Sequence, residues 1–263
     1  MPFKQETVSV CNGMFNVSVR RAGSGEPLVY LHGAGGQNDW EPFLDMLAQD
    51  FEVIVPAHPG WPGSDGLEHL DDVIDMALYY CDFFDVMGLS SVNLVGASLG
   101  AMFAAEIAAV GSSYVKKLVL SEPVGLWLDA HPVMDMFVAT PDELTQALFY
   151  DVEAAKARRT GPDPEDREAV ARANIDRQMA MAATSKFVWP IPDKGLKRRI
   201  HRIKAPTLIV WGEKDGMVPP IYGQEFQRRI PGSRLEVIKE AAHVPMTEQP
   251  QEFVRLVSGF LKG

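Results

Sequence analysis

The 263-residue chain has only two cysteines, no long apolar run and no excess of positive charge. Cys11 and Cys81 are too few for the disulfide framework that stabilises many small secreted domains. The first residues carry no apolar core typical of a signal peptide. No stretch reaches the roughly 18 uncharged apolar residues of a membrane span. We therefore expect a cytoplasmic protein that does not interact with a membrane.

The charge balance excludes another class of partner. With 25 basic and 35 acidic residues, the net charge is −10, so the chain has no general attraction for nucleic acid phosphates. Basic residues cluster between Lys194 and Lys204, but no aromatic residue lies among them, and we expect a solvated face there. Because 46% of the residues are hydrophobic, the chain can form a substantial core, which excludes intrinsic disorder.

The hydrophobic pattern predicts an α/β protein. Alternating residues at 7–10 and 15–19, separated by Asn12-Gly13, predict a β-hairpin. Short apolar runs then alternate with helical segments, which is typical of a mostly parallel sheet covered by helices on both faces. The predicted strands of this second part are residues 27–31, 52–56, 91–95, 115–120, 207–211 and 235–238.

The alternation is interrupted after the fourth of these strands. Residues 124–192 show no clear strand, and Thr140 begins a helical pattern with a proline next and Glu143 three positions on. A second helix is expected over residues 167–181. We therefore predict one α/β core domain, residues 1–123 and 193–263, with a helical insertion at 124–192.

The first catalytic signal is the pattern G-x-S-x-G at residues 96–100. It stands between a predicted strand and a predicted helix, where glycines two residues on either side allow a sharp turn that exposes the hydroxyl of Ser98. This context predicts a nucleophile. The alternative is a serine that only caps the following helix.

A serine nucleophile needs a base, and the base needs a carboxylate that orients it. His243 follows the last predicted strand and Asp215 follows the strand before it, so both lie at the sheet edge that carries Ser98. Ser, Asp, His is the chain order expected of such a triad. Glu122 also follows a strand and is the rival acid, whereas His58 lies between prolines and glycines, where we expect a turn.

Four pieces together make the chain resemble the α/β-hydrolase fold family over nearly its whole length: residues 32–36, 96–100 and 211–215, and the loop ending in His243. The resemblance implies an eight-stranded, mostly parallel sheet with a helical cap. It also implies that Ser98 attacks a carbonyl, His243 transfers the proton and Asp215 holds the imidazole. Backbone N–H groups of Ala34 and Leu99 would form the oxyanion hole.

The resemblance also bears on the substrate. The insertion is rich in apolar side chains, which suit a hydrophobic substrate but equally suit helix packing. Substrate-binding candidates are Gly33, Trp127, Phe137 and Val244. Haloalkane dehalogenases and epoxide hydrolases of this fold have Asp as nucleophile, which Ser98 speaks against.

Ester cleavage is the reaction that these residues favour. Hydrolases of carbon–carbon bonds usually carry Trp after the catalytic histidine, where this chain has Val244. We therefore predict hydrolysis of a small to medium hydrophobic carboxylic ester through an acyl-serine. Lactone or carbon–carbon bond cleavage and a non-catalytic ligand receptor are the alternatives. No metal or cofactor is implied.

Overall fold

The structure is a computed structural model that describes residues 3–36, 40–158 and 161–263. The strands are β1 (Lys4–Val10), β2 (Phe15–Ala22), β3 (Glu26–Leu31), β4 (Phe51–Pro56), β5 (Val92–Ala97), β6 (Val115–Ser121), β7 (Thr207–Gly212) and β8 (Arg234–Ile238). The helices are α1 (Pro42–Leu47), α2 (Val73–Val86), α3 (Leu99–Val110), α4 (Pro141–Leu148), α5 (Val152–Arg158), α6 (Arg167–Val188), α7 (Ile221–Arg229), α8 (Pro245–Glu248) and α9 (Pro250–Lys262).

All eight strands form one sheet in the order β1-β2-β4-β3-β5-β6-β7-β8. Strand β2 pairs antiparallel with β1 and β4, and every other pair in the sheet is parallel. The predicted eight-stranded, mostly parallel sheet is therefore confirmed. Strand β5, buried along its whole length, lies inside the sheet, so the residues that follow it emerge from the centre of one sheet edge.

Side chains on the two faces of the sheet enter two separate cores. Along β3, Val29 and Leu31 point to a core that includes residues of α2 and α3. Leu28 and Tyr30 point to the opposite core, which is built with α1 and α9. This alternation follows from the two-residue period of a strand. Because helices cover both faces, functional side chains are left to the edges of the sheet.

The predicted hairpin is present, with a four-residue connection rather than a tight turn. Residues Val10 and Phe15 are paired across it, and Cys11, Asn12 and Gly13 all have positive φ. Helix α2 begins at Val73, because the Asp72 carboxylate accepts hydrogen bonds from the backbone N–H groups of residues 74 and 75. Such side-chain caps fix where a helix starts.

The residues predicted as an insertion, 124–192, contain α4, α5 and α6, and their described part contains no strand. Thr140 and Glu143 form the reciprocal capping box that the sequence predicts at the start of α4. The helical pattern that begins at Thr140 forms two helices, α4 and α5. It breaks after Leu148, and Asp151 starts α5 by accepting the N–H of Ala154. Helix α6 extends seven residues beyond the predicted end.

The expectation of a solvated face between Lys194 and Lys204 is wrong for Arg199. Its guanidinium makes two hydrogen bonds, of 2.8 and 2.6 Å, to the buried carboxylate of Glu106 on α3. Burial raises the pKa of Glu106, and the Arg199 partner opposes that shift. Arg202 also donates to the carbonyl of Ala109. The basic run therefore anchors the segment before β7 to α3.

None of the described helices combines the length and the apolar character that crossing a membrane requires.

Candidate active site

Ser98 occupies a strained turn between β5 and α3. Its φ of 51° and ψ of −112° lie outside the ordinary regions for an L-residue. The flanking glycines permit the turn: a Cβ on Gly96 would lie 2.5 Å from the carbonyl oxygen of Gly100, and one on Gly100 would lie 2.2 Å from that of Leu31. The Ser98 side chain makes no capping bond to α3. The turn therefore presents the hydroxyl, and helix capping does not account for it.

His243 contacts both Ser98 and Asp215. Its Nε2 lies 2.8 Å from Ser98 Oγ, and its Nδ1 lies 2.9 Å from Asp215 Oδ2. We assign the neutral tautomer with the proton on Nδ1, because a carboxylate only accepts. The hydroxyl of Ser98 then donates to Nε2. The structure thus brings together the three side chains that the sequence predicts as a triad.

Asp215 is held in place by the loop that follows β7. Its Oδ1 accepts hydrogen bonds of 2.9 Å from the backbone N–H groups of Met217 and Val218. Its other oxygen is left for His243. The loops of Asp215 and His243 touch, since a Cβ on Gly212 would lie 1.8 Å from the carbonyl oxygen of Ala242. Only glycine at position 212 allows this approach of the two chains.

The rival acid Glu122 lies in a different hydrogen-bond network. It is fully buried with a φ of 44°. One carboxylate oxygen accepts the backbone N–H of Gly212 at 3.0 Å, and the other is bonded to the hydroxyl of Ser121. Burial raises the pKa of Glu122 well above its usual range, and the neighbouring Asp215 adds to this rise. Neither of these two bonds involves His243, whereas Asp215 Oδ2 lies 2.9 Å from His243 Nδ1, so the geometry favours Asp215 as the orienting acid.

The loop at residues 32–36 lies beside the nucleophile. A Cβ on Gly33 would come within 3.5 Å of Ser98 Cβ. The Gly33 carbonyl accepts hydrogen bonds from His32 Nδ1 at 2.8 Å and from the N–H of Gly36 at 3.1 Å. In a trans peptide, the N–H of Ala34 points opposite to that carbonyl. These two bonds therefore fix the direction of the first predicted oxyanion donor.

The second predicted donor is the N–H of Leu99. Leu99 is the first residue of α3, and the first N–H groups of a helix have no partner within the helix. The helix dipole also favours negative charge at this end. The location next to Ser98 is thus suited to an oxyanion.

His58 begins the turn that its neighbours predict, because its carbonyl accepts the N–H of Trp61 at 3.0 Å, but its side chain is not at the surface. It is completely buried, and its Nε2 donates to the carbonyl of His32 at 2.9 Å. Its Nδ1 accepts from the hydroxyl of Tyr80, and its backbone N–H donates to His32 Nε2 at 3.2 Å. Trp61 adds a bond from its indole N–H to the carbonyl of Ala34. A network of buried side chains therefore supports the Gly33 loop from behind.

Both histidines of this network are neutral. Burial lowers the pKa of His32 to about 4, and it lowers the pKa of His58 well below the usual range. Neutrality matches the hydrogen bonds, because each ring donates from one nitrogen and accepts at the other. The sequence reasoning missed His58 because the Pro and Gly residues around it suggest a loop on the surface. The histidines at positions 69, 131 and 201 are exposed.

The remaining substrate-binding candidates are less closely tied to Ser98. Trp127 is half-buried, and its indole N–H donates to Asp129 at 2.9 Å. Phe137 is half-buried within the insertion, and Val244, directly after His243, packs against the core that contains α1 and α9. Their roles stay predictions. Across the described ranges, no group of three or more His, Cys, Asp or Glu side chains is arranged to hold a metal ion.

Comparison with known proteins shows which fold family carries this site. A model of the α/β hydrolase fold matches residues 26–250. The chain belongs to the α/β-hydrolase fold family. A curated relative of this hydrolase is 2-hydroxy-6-oxononadienedioate/2-hydroxy-6-oxononatrienedioate hydrolase 2 of Pseudomonas putida. It is 30% identical over 267 residues, which cover 90% of this chain and 88% of the relative.

Solved structures similar to this hydrolase share its fold. A membrane phospholipase A described as a bacterial virulence factor superposes with a TM-score of 0.81 at 23% identity, covering 99% of this chain and 86% of the other. The naproxen esterase of Bacillus subtilis gives a TM-score of 0.75 at 20% identity, covering 99% and 92%. Together with the family match, the named hydrolase relatives support an enzyme of the serine hydrolase type.

Proposed function

We propose that this hydrolase cleaves a carboxylic ester of a small to medium hydrophobic substrate through an acyl-serine intermediate. The observation that carries the proposal is the hydrogen-bonded chain from Ser98 through His243 to Asp215, with the Gly33 loop beside it. Acyl transfer needs these three groups and an oxyanion site, and it needs no further cofactor.

The first half-reaction follows from the hydrogen bonds. Nε2 of His243 takes the proton of Ser98 as Oγ attacks the substrate carbonyl carbon. The carbonyl oxygen becomes an oxyanion, which the N–H groups of Ala34 and Leu99 stabilise. The C–O bond to the alcohol then breaks, and His243 returns the proton to the leaving alkoxide. The acyl group remains on Ser98.

The second half-reaction repeats these steps with water as the nucleophile. His243 takes a proton from water, hydroxide adds to the acyl carbon, and the Ser98 oxygen leaves with the proton that His243 gives back. Asp215 stabilises the imidazolium that forms twice in each cycle. Loss of a single oxyanion donor is expected to cost on the order of a hundredfold or more in rate.

In this proposal, the insertion contributes residues that contact the substrate. We assign residues 124–192 the role of a cap, with Trp127 and Phe137 as apolar contacts, and Gly33 and Val244 as contacts beside the reacting carbon. Met134 of the insertion donates its backbone N–H to the carbonyl of Met217, two residues after Asp215. The insertion therefore lies against the Asp215 loop, where a substrate would enter.

Carbon–carbon bond hydrolysis is the second candidate, favoured by the Pseudomonas putida relative. The substrate in that relative's name is a dicarboxylate. Among the described residues, the buried carboxyl and imidazole side chains include Glu106, Glu122, Asp215 and three histidines, and none of the buried residues is a lysine or an arginine. Burying a carboxylate is costly without a paired cation. This favours a neutral ester, or a lactone, over an anionic dienoate.

The test is a panel assayed with wild type and Ser98→Ala. It contains short p-nitrophenyl esters, a neutral lactone and a dienone carboxylate, with fluorophosphonate labelling as a report on the activated serine. We expect ester turnover and labelling in wild type only. Turnover of the dienone carboxylate well above that of the esters would replace the ester proposal with the carbon–carbon one. Ester activity that survives in Ser98→Ala would refute both.

A further inference from the structure

The end of helix α4 in the insertion is completed by the two loops that carry Asp215 and His243. A helix leaves its last carbonyls without partners inside the helix. Here the carbonyl of Ala147 accepts the N–H of Gly216, and the carbonyl of Leu148 accepts the N–H of His243, each at 3.1 Å. A Cβ on Gly216 would lie 2.9 Å from Ala147 Cα, so the chains are in close contact. The insertion thus holds the backbone of the histidine itself.

The carboxylate of Glu248 makes a second connection between the end of α4 and the loop that carries His243. Oε1 of Glu248 accepts the backbone N–H groups of Tyr150 at 2.7 Å and Asp151 at 3.3 Å, just beyond α4. Its Oε2 accepts the N–H of Ala242 at 2.7 Å. Hydrogen bonds to an ionised acceptor are stronger than those between neutral groups. Glu248 therefore bridges the segment after α4 and the residue before His243.

We propose that Glu248 is a positioning residue that couples the insertion to His243. The bond from Ala242 to Glu248 closes a loop of chain around His243, and the bonds to Tyr150 and Asp151 tie that loop to α4. Movement of α4 away from the core would remove a backbone partner from His243 and another from Gly216. The imidazole is then aligned with Ser98 only while α4 is seated. This inference rests on the proposed triad.

The amide variant Glu248→Gln tests the coupling. A glutamine has one accepting oxygen, so its NH2 group must face either Ala242 or the N–H groups of Tyr150 and Asp151. Weakening one charged link is expected to lower kcat on a p-nitrophenyl ester about tenfold. KM should stay within about twofold, because Glu248 acts on the histidine and not on the pocket. The rate of fluorophosphonate labelling of Ser98 should fall with kcat.

The matched control is Glu252→Gln, four residues along the chain. Glu252 forms an exposed ion pair with Arg255 on α9, with 44% of its side chain accessible. The same change of carboxylate to amide there should leave kcat, KM and the labelling rate at wild-type values. Wild-type kcat and labelling in Glu248→Gln, or a rise in KM alone, would overturn the proposal.

Hydrogen exchange on the wild-type protein keeps the test decisive if Glu248→Gln does not fold. The amides of Gly216, Ala242 and His243 should open together with those of α4 and show protection factors within about threefold of each other. Amides of α4 that exchange more than about tenfold faster than those of Gly216 and His243 would contradict the coupling. Absence of Ser98 labelling in wild type would instead count against the proposed function and leave the exchange result valid.

Discussion

Replacing Asp215 by Asn should abolish most activity without unfolding the protein, because the surroundings of Asp215 dictate how the amide is oriented. Both oxygens of this carboxylate already accept hydrogen bonds. Oδ1 receives two backbone N–H bonds and Oδ2 receives the N–H of His243. An asparagine has one oxygen for these three donors. The tautomer of the His243 imidazole depends on whether the asparagine oxygen faces the two backbone N–H groups or the histidine.

The asparagine oxygen should remain with Met217 and Val218. The opposite orientation would place the NH2 group against both backbone N–H groups and leave these buried donors without partners, at about 1–3 kcal/mol each. The favoured orientation thus leads by about 2–6 kcal/mol, and the NH2 group faces Nδ1 of His243. Nδ1 must then accept, so the proton moves to Nε2, which can no longer accept the proton of Ser98.

The expected loss is about four orders of magnitude in kcat, equal to about 5.4 kcal/mol of transition-state stabilisation. Three hydrogen bonds survive in the favoured orientation, so the free energy of unfolding should change by less than about 1 kcal/mol. The assay is kcat on a p-nitrophenyl ester together with denaturant unfolding. Asp72→Asn is the control, because Asp72 also accepts two backbone N–H groups with one oxygen and asparagine caps a helix equally well.

A loss of less than about tenfold in Asp215→Asn would refute this reasoning. It would mean that another group holds the imidazole in the required tautomer. Glu122 is then the residue to examine, and the double variant with Glu122→Gln would show whether the residual rate depends on it.

Three further outcomes test the buried histidine network and the insertion. His58→Phe removes a donor to the His32 carbonyl and an acceptor for Tyr80; denaturant unfolding should show a loss of about 2–5 kcal/mol, with no loss in the exposed control His201→Phe. The pKa of His32 is 6.5 in the unfolded chain and about 4 in the folded protein. As pH falls between these two values, the unfolded chain binds a proton that the folded protein does not, so the free energy of unfolding should fall by about 3 kcal/mol. An NMR titration in which the His32 imidazole protonates near 6.5 would disprove this. Thr140→Ala should cost about 1 kcal/mol by the same unfolding assay, with Thr145→Ala, away from the cap position, as a control that loses less.

The sequence predicts the sheet well, and it selects three side chains that the structure places within hydrogen-bond distance of one another, because both results follow from local patterns. Buried strands read as apolar runs, and the glycines at 96 and 100 are required by contacts of 2.5 and 2.2 Å that any side chain would violate. Parallel strands place their following loops at one edge, so residues far apart in the chain can be assigned to one site. The position of Asp215 needs nothing more than that rule.

What the sequence does not reveal depends on contacts between distant segments. His58 appears to belong to a surface turn, yet Tyr80 and His32 provide partners for both of its nitrogens inside the core. Arg199 appears solvated until Glu106, 93 positions away, is placed beside it. The carbonyl of Leu148, where α4 ends, accepts the N–H of His243 from the far end of the chain. None of these partners is specified by spacing along the chain.

The carbonyls at the end of α4 limit which part of the insertion can be replaced, in evolution or by engineering. Residues 161–166, which precede α6, are all exposed, so lengthening or replacing the chain there disturbs no buried residue. Residues 147–151 supply acceptors to the N–H groups of Gly216 and His243 and donors to Glu248, and they must keep their backbone path. A chimera designed to change substrate preference should therefore join the foreign sequence at the connection between α5 and α6. It should keep the native sequence of α4.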